Sequence, residues 1–549
     1  MTPPPWGAAL SWLQLSGADL RQQGTEGTMA FTYPGVYIEE ISSGQHTITG
    51  VATSIAAFVG WAPQGPINEA VMVESFAEYQ ARYGTFVPGI SLAYAVNQFF
   101  QNGGSQAYIV RIVDSTTAAV GTNTIGGLVL YASNPGGWSS SIFVTISNVS
   151  GGGTTFNLLL TNASGLPLES YTNLSLSSTS PQYVVTVINS DSNFLTFTPP
   201  TGPMAALPAT VTAAGPTALS GGADGTQLIP GLASGAFETA LDITDALTPI
   251  APGATPLPGL SLLNAVPIFN LLCVPGETDA PTIAGLQRFC QNNRAFFIVD
   301  APQNATLQDF QTNYGAPIGT ITASPFKQGL SGSAPAASYS GYYYPWVLAP
   351  DPAMGNRPAL YPPCGIVAGQ FAATDASRGV WKAPAGIATT LSQVLGLQVN
   401  LSDAQNGTLN PIGVNCLRQF RNTGNVIWGS RTLAGADVIG SEWKYIPIRR
   451  MALFLESSLY DGTQWVVFEP NAEPLWGQIR MNVGTFMQEQ FLAGAFAGST
   501  PQQAYFVKCD SDNNPGSSIA LGIVNITVGF APLYPAEFVV IQITQMLNN

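Results

Sequence analysis

Between residues 268 and 302 the chain runs IFNLLCVPG (268–276), TIAGLQRFCQNN (282–293) and AFFIVDAP (295–302). The two outer pieces are short apolar runs bounded by turn residues, and the middle one has helical spacing. Strand, helix and strand at this spacing predict a parallel sheet. The same logic appears nearer the N-terminus. SIAAFVGWAPQGP (54–66) is an apolar strand closed by turn residues, and SFAEYQARYG (75–84) is a short helix with Phe76, Tyr79 and Tyr83 on one side and Gly84 at its end. SLAYAVNQFFQNGG (91–104) is a second helix, with Leu92, Val96 and Phe99 on one face, and AYIVRIV (107–113) is a buried strand. An α/β layer follows from this alternation.

Residues 115–220 change character: Ser, Thr, Asn and Gly dominate, and lysine and arginine vanish. SIFVTISNV (141–149), FNLLL (156–160) and YVVTVI (183–188) are expected as strands of an inserted all-β module. Beyond APAGIATTL (383–391) two helices are expected. One carries Met451, Phe454, Leu455 and Leu459 on one side; the other starts at Pro474, stacks Leu475, Ile479, Val483 and Phe486, and stops at Gly494 and Gly498. These stripes are core positions. The fold class is therefore α/β (α+β) multidomain: a mixed-sheet core, an inserted β module, and β-strand arms at both ends. The expected boundaries are 1–28 (an extension, or an over-called start before Met29), 29–114 (arm and first part of the α/β domain), 115–220 (β module), 221–384 (second part), 385–529 (C-terminal domain) and 530–549 (C-terminal arm).

The two ends are unusual. FTYPGVYIEEIS (31–42) has β-branched and aromatic strand chemistry, with Val36 and Ile38 on one face and Tyr37 on the other, at a place where chains fray. GIVNITVGFAPLYPAEFVVIQITQM (522–546) ends with Phe538, Val539, Val540, Ile541 and Ile543, apolar on both faces, and expects burial in a sheet. Pairing with a neighbouring copy's sheet edge would make each molecule a link in a chain, joined by main-chain hydrogen bonds.

Composition agrees with self-association. Of 549 residues 46% are hydrophobic and only 9% charged, with a mean hydropathy of +0.20; globular chains carry about 25% charged residues. So few charges cover a large surface poorly, and copies of the chain are the expected cover. The net charge is −14, and no basic cluster exceeds Arg449–Arg450, so nucleic acid and anionic membranes are not expected partners. The longest apolar stretch, near ITGVATSIAAFVGWAP (48–63), is too short and hydroxyl-rich to span a bilayer, and the N-terminus lacks the basic region of a signal peptide. Cys273, Cys290, Cys364, Cys416 and Cys509 are odd in number and widely spaced, as buried thiols in a cytoplasm would be.

Little catalytic chemistry is legible. The single histidine, His46, lies in the turn SSGQHTITG, which leaves no two-histidine zinc motif and one lone base without a G-x-S-x-G elbow. No phosphate-binding G-x-x-x-x-G-K-[ST] occurs. DSDNNPGSSIAL (510–521) starts like a calcium loop at Asp510, Asp512 and Asn514, but Pro515 replaces the sixth-position glycine and Leu521 the twelfth-position glutamate, so a polar turn is expected. No catalytic, cofactor or metal residues are assigned, and no enzyme activity is expected.

An ordered set of segments carries a family resemblance. YPGVYIEEISSG (33–44), FVGWAPQGP (58–66) and YTNLSLSSTSPQYVVTVIN (171–189) are followed by YYYPWVLAPDP (342–352) and PPCGIVAGQFAATDASRGVWKAPAG (362–386). LNPIGVNCLRQFRNTGNVIWGSRTL (409–433), WKYIPIRRMALFLESSLYDGTQWVVFEPN (443–471) and AYFVKCD (504–510) come next, and the closing segment ends the series. Together they resemble the contractile tail sheath family of phages and phage-like injection systems, from about Phe31 to Ile543. Ala372–Ala373, where relatives often have a basic residue, and Cys364, often serine, depart from the pattern; a weakened or shifted polar contact between subunits is the expectation there.

The resemblance implies a structural subunit, without cofactor, that polymerises as stacked hexameric rings around an inner tube and contracts to drive the tube through a target envelope. Its implied partners are itself, the inner tube protein, baseplate and terminal cap proteins, and paralogous sheath subunits in some systems, with synthesis in a bacterial cytoplasm and use in a phage tail or released tail-like particle. By carry-over Tyr33, Pro34, Gly35, Val36 and Ile38 form an N-terminal inter-subunit arm, and Pro535, Ala536, Glu537, Phe538, Val540 and Ile541 a C-terminal one. Arg480, Glu489, Lys508 and Asp510 are the candidates for facing the tube, and the β module would face outward. The competing expectations are a secreted β-rich adhesin or surface-layer-like protein, which needs a secretion signal, and a hydrolase, which needs a base.

Overall fold

The structure, a computed structural model, describes residues 46–199, 204–208, 211, 215–231, 235–247, 258–310 and 335–540. Eight strands form its central sheet: β1 (Ala56–Trp61), β2 (Val71–Val73), β3 (Ala107–Ile112), β4 (Leu271–Cys273), β5 (Phe296–Asp300), β6 (Ser340–Tyr344), β7 (Val414–Phe420) and β8 (Gly424–Trp428). Their order is β2-β3-β1-β4-β5-β6-β7-β8. The inner six run parallel, and β2 and β8 pair antiparallel at the edges. The strands of residues 268–302 are thus neighbours in a parallel sheet, with Leu271 opposite Phe296 and Cys273 opposite Ile298.

The longer helices are α1 (Phe76–Tyr83), α2 (Leu92–Gln101), α3 (Val184–Asp191), α4 (Ala280–Asn292), α5 (Cys364–Arg378), α6 (Ile446–Gly462) and α7 (Glu473–Leu492). Alternate residues of each strand feed two cores. Phe58, Cys273, Phe296 and Ile298 pack with Val96 and Phe99 of α2 and Val367 and Phe371 of α5. Val59, Leu272, Phe297 and Val299 pack with Ile283, Leu286 and Phe289 of α4 on the other face. Helices on both faces explain why these strands are apolar throughout rather than alternating. The α2–α5 contact is very close: a Cβ on Gly365 would collide with the Ala95 carbonyl, and one on Gly369 with that of Phe99.

The module is β-rich with its own core. Thr122–Ile125, Leu128–Ala132 and Leu195–Phe197 form one small sheet; Phe143–Ser150, Thr155–Thr161, Pro167–Ser175 and Thr217–Ala218 form another. YVVTVI is not a strand as expected: Tyr183 caps α3 and Val184–Ile188 lie within it. Val184 and Ile188, one turn apart, point into the module core beside Leu130 and Phe197, so packing overrides the β-branched preference. A fully buried arginine anchors the connection: Arg111 donates to the carbonyls of Ala62 (2.8 Å), Gly65 (2.6 Å), Pro63 (3.2 Å) and Pro135 (2.9 Å). Burial without a bonded carboxylate lowers its pKa to about 10.

β7 and β8 continue the central sheet across the boundary expected at 385. The C-terminal core is built instead from α6, α7 and the hairpin β9 (Tyr505–Lys508) and β10 (Thr527–Phe530). Met451 and Leu455 meet Leu475, Ile479, Val483 and Phe486, the residues expected on the two stripes. A buried ion pair joins this part to the α/β body. Arg450 of α6 grips Asp375 of α5 with two bonds, of 2.9 and 2.5 Å, while also donating to the Thr53 carbonyl and lying over Phe371. All five cysteines are buried free thiols. Cys364 and Ala372 lie inside the body, away from any inter-subunit contact, whereas Ala373 of the expected Ala372–Ala373 pair is half-buried.

Candidate assembly interface

After β10 the chain leaves the hairpin and returns to the α/β body. The amide of Ala531 donates to Ala504, that of Ala497 to Ala531, and Pro532 bridges to Phe496. Residues 533–540 then run without secondary structure. The closing strand expected from sequence is absent over 538–540, because no strand of the described body lies beside it to complete a ladder.

One carboxylate fixes this segment. Glu537 receives two parallel bonds from Arg431, Nε to Oε1 and Nη2 to Oε2, both 2.7 Å. Asn410 Nδ2 donates to Oε1 at 2.7 Å and the Tyr445 hydroxyl to Oε2 at 3.0 Å. Arg431 is 1% exposed, and its third nitrogen bonds Asp437 at 2.9 Å, which in turn pairs with Lys444 at 2.6 Å. The Arg431 backbone is locked as well, since Asn415 accepts from its amide at 2.7 Å and donates to its carbonyl at 2.8 Å. The Tyr534 ring meets Tyr445 edge-on at 6.2 Å. Burial pulls the Glu537 carboxyl upward, but the bonds from Arg431 and Asn410 outweigh it and hold its pKa below the usual range. This is a bidentate, geometry-specific clamp.

Immediately beyond the clamp the chain is bare. Phe538, Val539 and Val540 are 77%, 79% and 82% exposed. Three consecutive bulky apolar residues in water are an interaction surface in search of a partner. The hairpin offers a matching one. β9 and β10 pair only with each other, from Tyr505↔Phe530 to Lys508↔Thr527, which leaves two open edges among the described residues. A two-stranded sheet is marginal alone and gains from added strands.

The residues singled out from sequence fall in different places. Pro535, Ala536 and Glu537 are the clamped base of the C-terminal segment, and Phe538 and Val540 belong to its bare part. Ile541 and Tyr33, Pro34, Gly35, Val36 and Ile38 lie outside the described residues. Arg480 pairs with Glu473 (2.5 Å) and donates to the Cys509 carbonyl. Lys508 pairs with Asp512 (3.0 Å), and Asp510 caps its own polar turn by accepting from the Asp512 amide (2.9 Å). Asn514 is buried, its amide donating to the carbonyls of Asp510 and Asn525. Glu489 is exposed on α7 and has no ion-pair partner among the described residues. His46 stacks on Trp465 with ring centroids 4.2 Å apart.

Sequence reasoning missed Arg431, Asn410 and Tyr445. The signal available was Glu537 itself, a lone carboxylate in the apolar run LYPAEFVV, which calls for a buried cationic partner. Among the described residues no group of His, Cys, Asp or Glu could hold a metal ion, and no helix is long and apolar enough to cross a membrane.

A largely parallel α/β sheet with an inserted β module and a helical C-terminal part is a fold that solved proteins share. Residues 266–433, from the lead into β4 to just past Arg431, match the phage tail sheath protein central domain. A tail sheath protein of Vibrio phage KVP40 is 30% identical over 168 residues, 30% of this chain and 23% of that one. A Pseudomonas aeruginosa protein described as a prophage major tail sheath protein is 26% identical over 288 residues, 51% of this chain and 65% of its own length. The chain thus spans from under a quarter to just under two thirds of these curated relatives. Among solved structures, the sheath of an extracellular contractile injection system in its contracted state has 20% identity, a TM-score of 0.55, and covers 94% of this chain and 99% of its own. A sheath tail protein of Listeria innocua has 12% identity, a TM-score of 0.57, and coverages of 88% and 96%. Residues 266–433 are thus similar to the phage tail sheath central domain, and the chain is similar over part of its length to tail sheath proteins.

Proposed function

We propose that this chain is the structural sheath subunit of a phage tail or phage-tail-like injection particle. Copies assemble as stacked hexameric rings around an inner tube, and shortening of the lattice drives the tube into a target envelope. The observation that carries this reading is the C-terminal segment: held by Glu537 on its own body, then bare and apolar from Phe538 to Val540. A strand so placed adds to the open hairpin edge of a neighbour by main-chain hydrogen bonds, and the N-terminal strand from Tyr33 to Ile38 does the same at the other end. The links would hold the lattice together while the bodies move.

In this reading α7 and the hairpin face the tube. Of the four charged candidates, Glu489 is the best placed, because Arg480, Lys508 and Asp510 are already bonded within the chain. The β module, with its own core, decorates the outside. Baseplate and cap proteins complete the particle, which is made in a bacterial cytoplasm. A β-rich adhesin has less support, since the inner six strands of the main sheet are parallel and helix-covered.

Negative-stain electron microscopy of the full chain, alone and with a candidate inner tube protein, tests the proposal. Hollow tubes that lengthen along the added tube are expected. Monomers under both conditions would refute it.

A further inference from the structure

The loop between α6 and α7 ends in a protruding tip with firm feet. Trp465 stacks on His46, Val466 packs against the C-terminal core, and Asn471 donates to the Ile523 carbonyl (3.0 Å) while accepting from Trp476 Nε1 (2.9 Å). Between these feet, Phe468 is 102% exposed and Val467 59%. Phe468 also has a left-handed φ of 73°, a conformation that crowds the Cβ of a bulky L-residue. Glu469 and Asp461 flank the tip, exposed and without ion-pair partners among the described residues. A strained, fully solvated aromatic on fixed supports, with a carboxylate next to it in the chain, is poor for an isolated molecule and suited to insertion into something.

The same molecule has a receptor of the opposite character. A groove of about 1030 Å³ opens between the body, the C-terminal end of α7 and the clamped segment 533–538. Trp381 and Trp428 line it, with Arg378 and Lys382, neither of which has a carboxylate partner among the described residues, although Lys382 donates to the Ala383 carbonyl; the carboxylates in the lining, Asp403 and Glu537, are already paired with Arg418 and Arg431. The tip cannot reach its own groove. It lies at the start of α7 and the groove at Ala493–Gly494, beyond its end, so the 20 residues of that helix separate them by about 30 Å.

We propose that the Val467–Glu469 tip of one copy inserts into the Trp381/Trp428 groove of a second copy, with Glu469 and Asp461 meeting Arg378 and Lys382. The aromatic side chain fills an aromatic-lined cavity, and two unpaired anions meet two unpaired cations. Because tip and groove are different surfaces at opposite ends of one rigid helix, the contact is heterologous and propagates into a ring or helix instead of closing a dimer. It rests on the reading of the chain as a self-assembling sheath subunit, and it adds a body-to-body contact to the exchanged strands.

Charge exchange in the full chain provides the test. Glu469→Arg and Arg378→Glu are each expected to lower the yield of tubes at least about tenfold, since like charges across an interface cost several kcal/mol. The two together should restore it. Independently, Phe468→Cys with Lys382→Cys, treated with a short bis-maleimide, should give a ladder of dimers, trimers and higher species, because all native cysteines are buried. Normal tubes without a ladder, a cross-link within one chain, or a double reversal that stays defective would overturn the contact and leave the sheath reading standing. Failure of the unmodified chain to assemble at all would overturn both.

Discussion

β5 and the segment after Glu537 are built from the same material. FFIVD at 296–300 is wholly buried, whereas FVV at 538–540 is almost wholly exposed. The difference is not in the side chains but in the neighbours. β5 has β4 and β6 beside it and helices above and below; the closing segment has a clamp at its base and, among the described residues, no strand alongside. An apolar segment without a strand beside it among the described residues is either a defect or half of an interface, and the ring of Arg431, Asn410 and Tyr445 around Glu537 argues for the interface.

The two regions should also respond differently to perturbation. The largest effect is expected at the junction of the bodies. Arg450→Ala strands the buried Asp375 carboxylate and should lower stability by about 3–5 kcal/mol, read as a shifted denaturant midpoint; Arg450→Met with Asp375→Leu should recover most of it. Glu537→Ala leaves Arg431 buried with Asp437 as its remaining ion-pair partner. A loss of about 2–3 kcal/mol is expected, seen as faster amide exchange over 531–537 with the α/β sheet unaffected. Acid should mimic this. Glu537 has a depressed pKa, so the clamp is fully formed above the ordinary carboxylate pKa and weakens as pH falls through the depressed one.

The α/β body has the opposite pH dependence. Glu277 is buried after β4, and burial pushes its pKa from 4.5 to about 8. Its folded form prefers the proton, so its contribution is complete below pH 4.5 and lost as pH rises through 8. Glu277→Gln should therefore be neutral in acid and stabilising by about 1–3 kcal/mol at alkaline pH, measured as melting temperature against pH. The smallest effect is expected at His46→Ala, which removes the ring stacked on Trp465: about 0.5–1 kcal/mol, measured by thermal unfolding.

What could be seen in the sequence follows the range of the interactions. β1, β3, β4 and β5, with α1, α2 and α4, were legible because each is coded locally, by an apolar run or a 3.6-residue stripe ended by glycine or asparagine. The stripes of α6 and α7 were legible for the same reason. YVVTVI misleads because its β-branched residues suit a strand until the module core selects Val184 and Ile188. The sheet's continuation into β7 and β8 depends on pairing with β6, some seventy residues earlier, and no local pattern reports that. The closing segment was visible as apolar sequence, but its anchor joins Glu537 to residues 410, 431 and 445, so only the lone charge hinted at it. The departures at Cys364 and Ala372 were placed on a surface because resemblance carries no information on burial.

The most direct test of the central claim is amide hydrogen exchange at Phe538–Val540 in the full chain, compared between dispersed and assembled protein. Fast exchange when dispersed and strong protection when assembled is expected, as the segment becomes a strand of a neighbour's sheet. Equal protection in both states would mean that the segment pairs with its own body, and equal exposure in both would mean that it pairs with nothing; either result contradicts strand exchange.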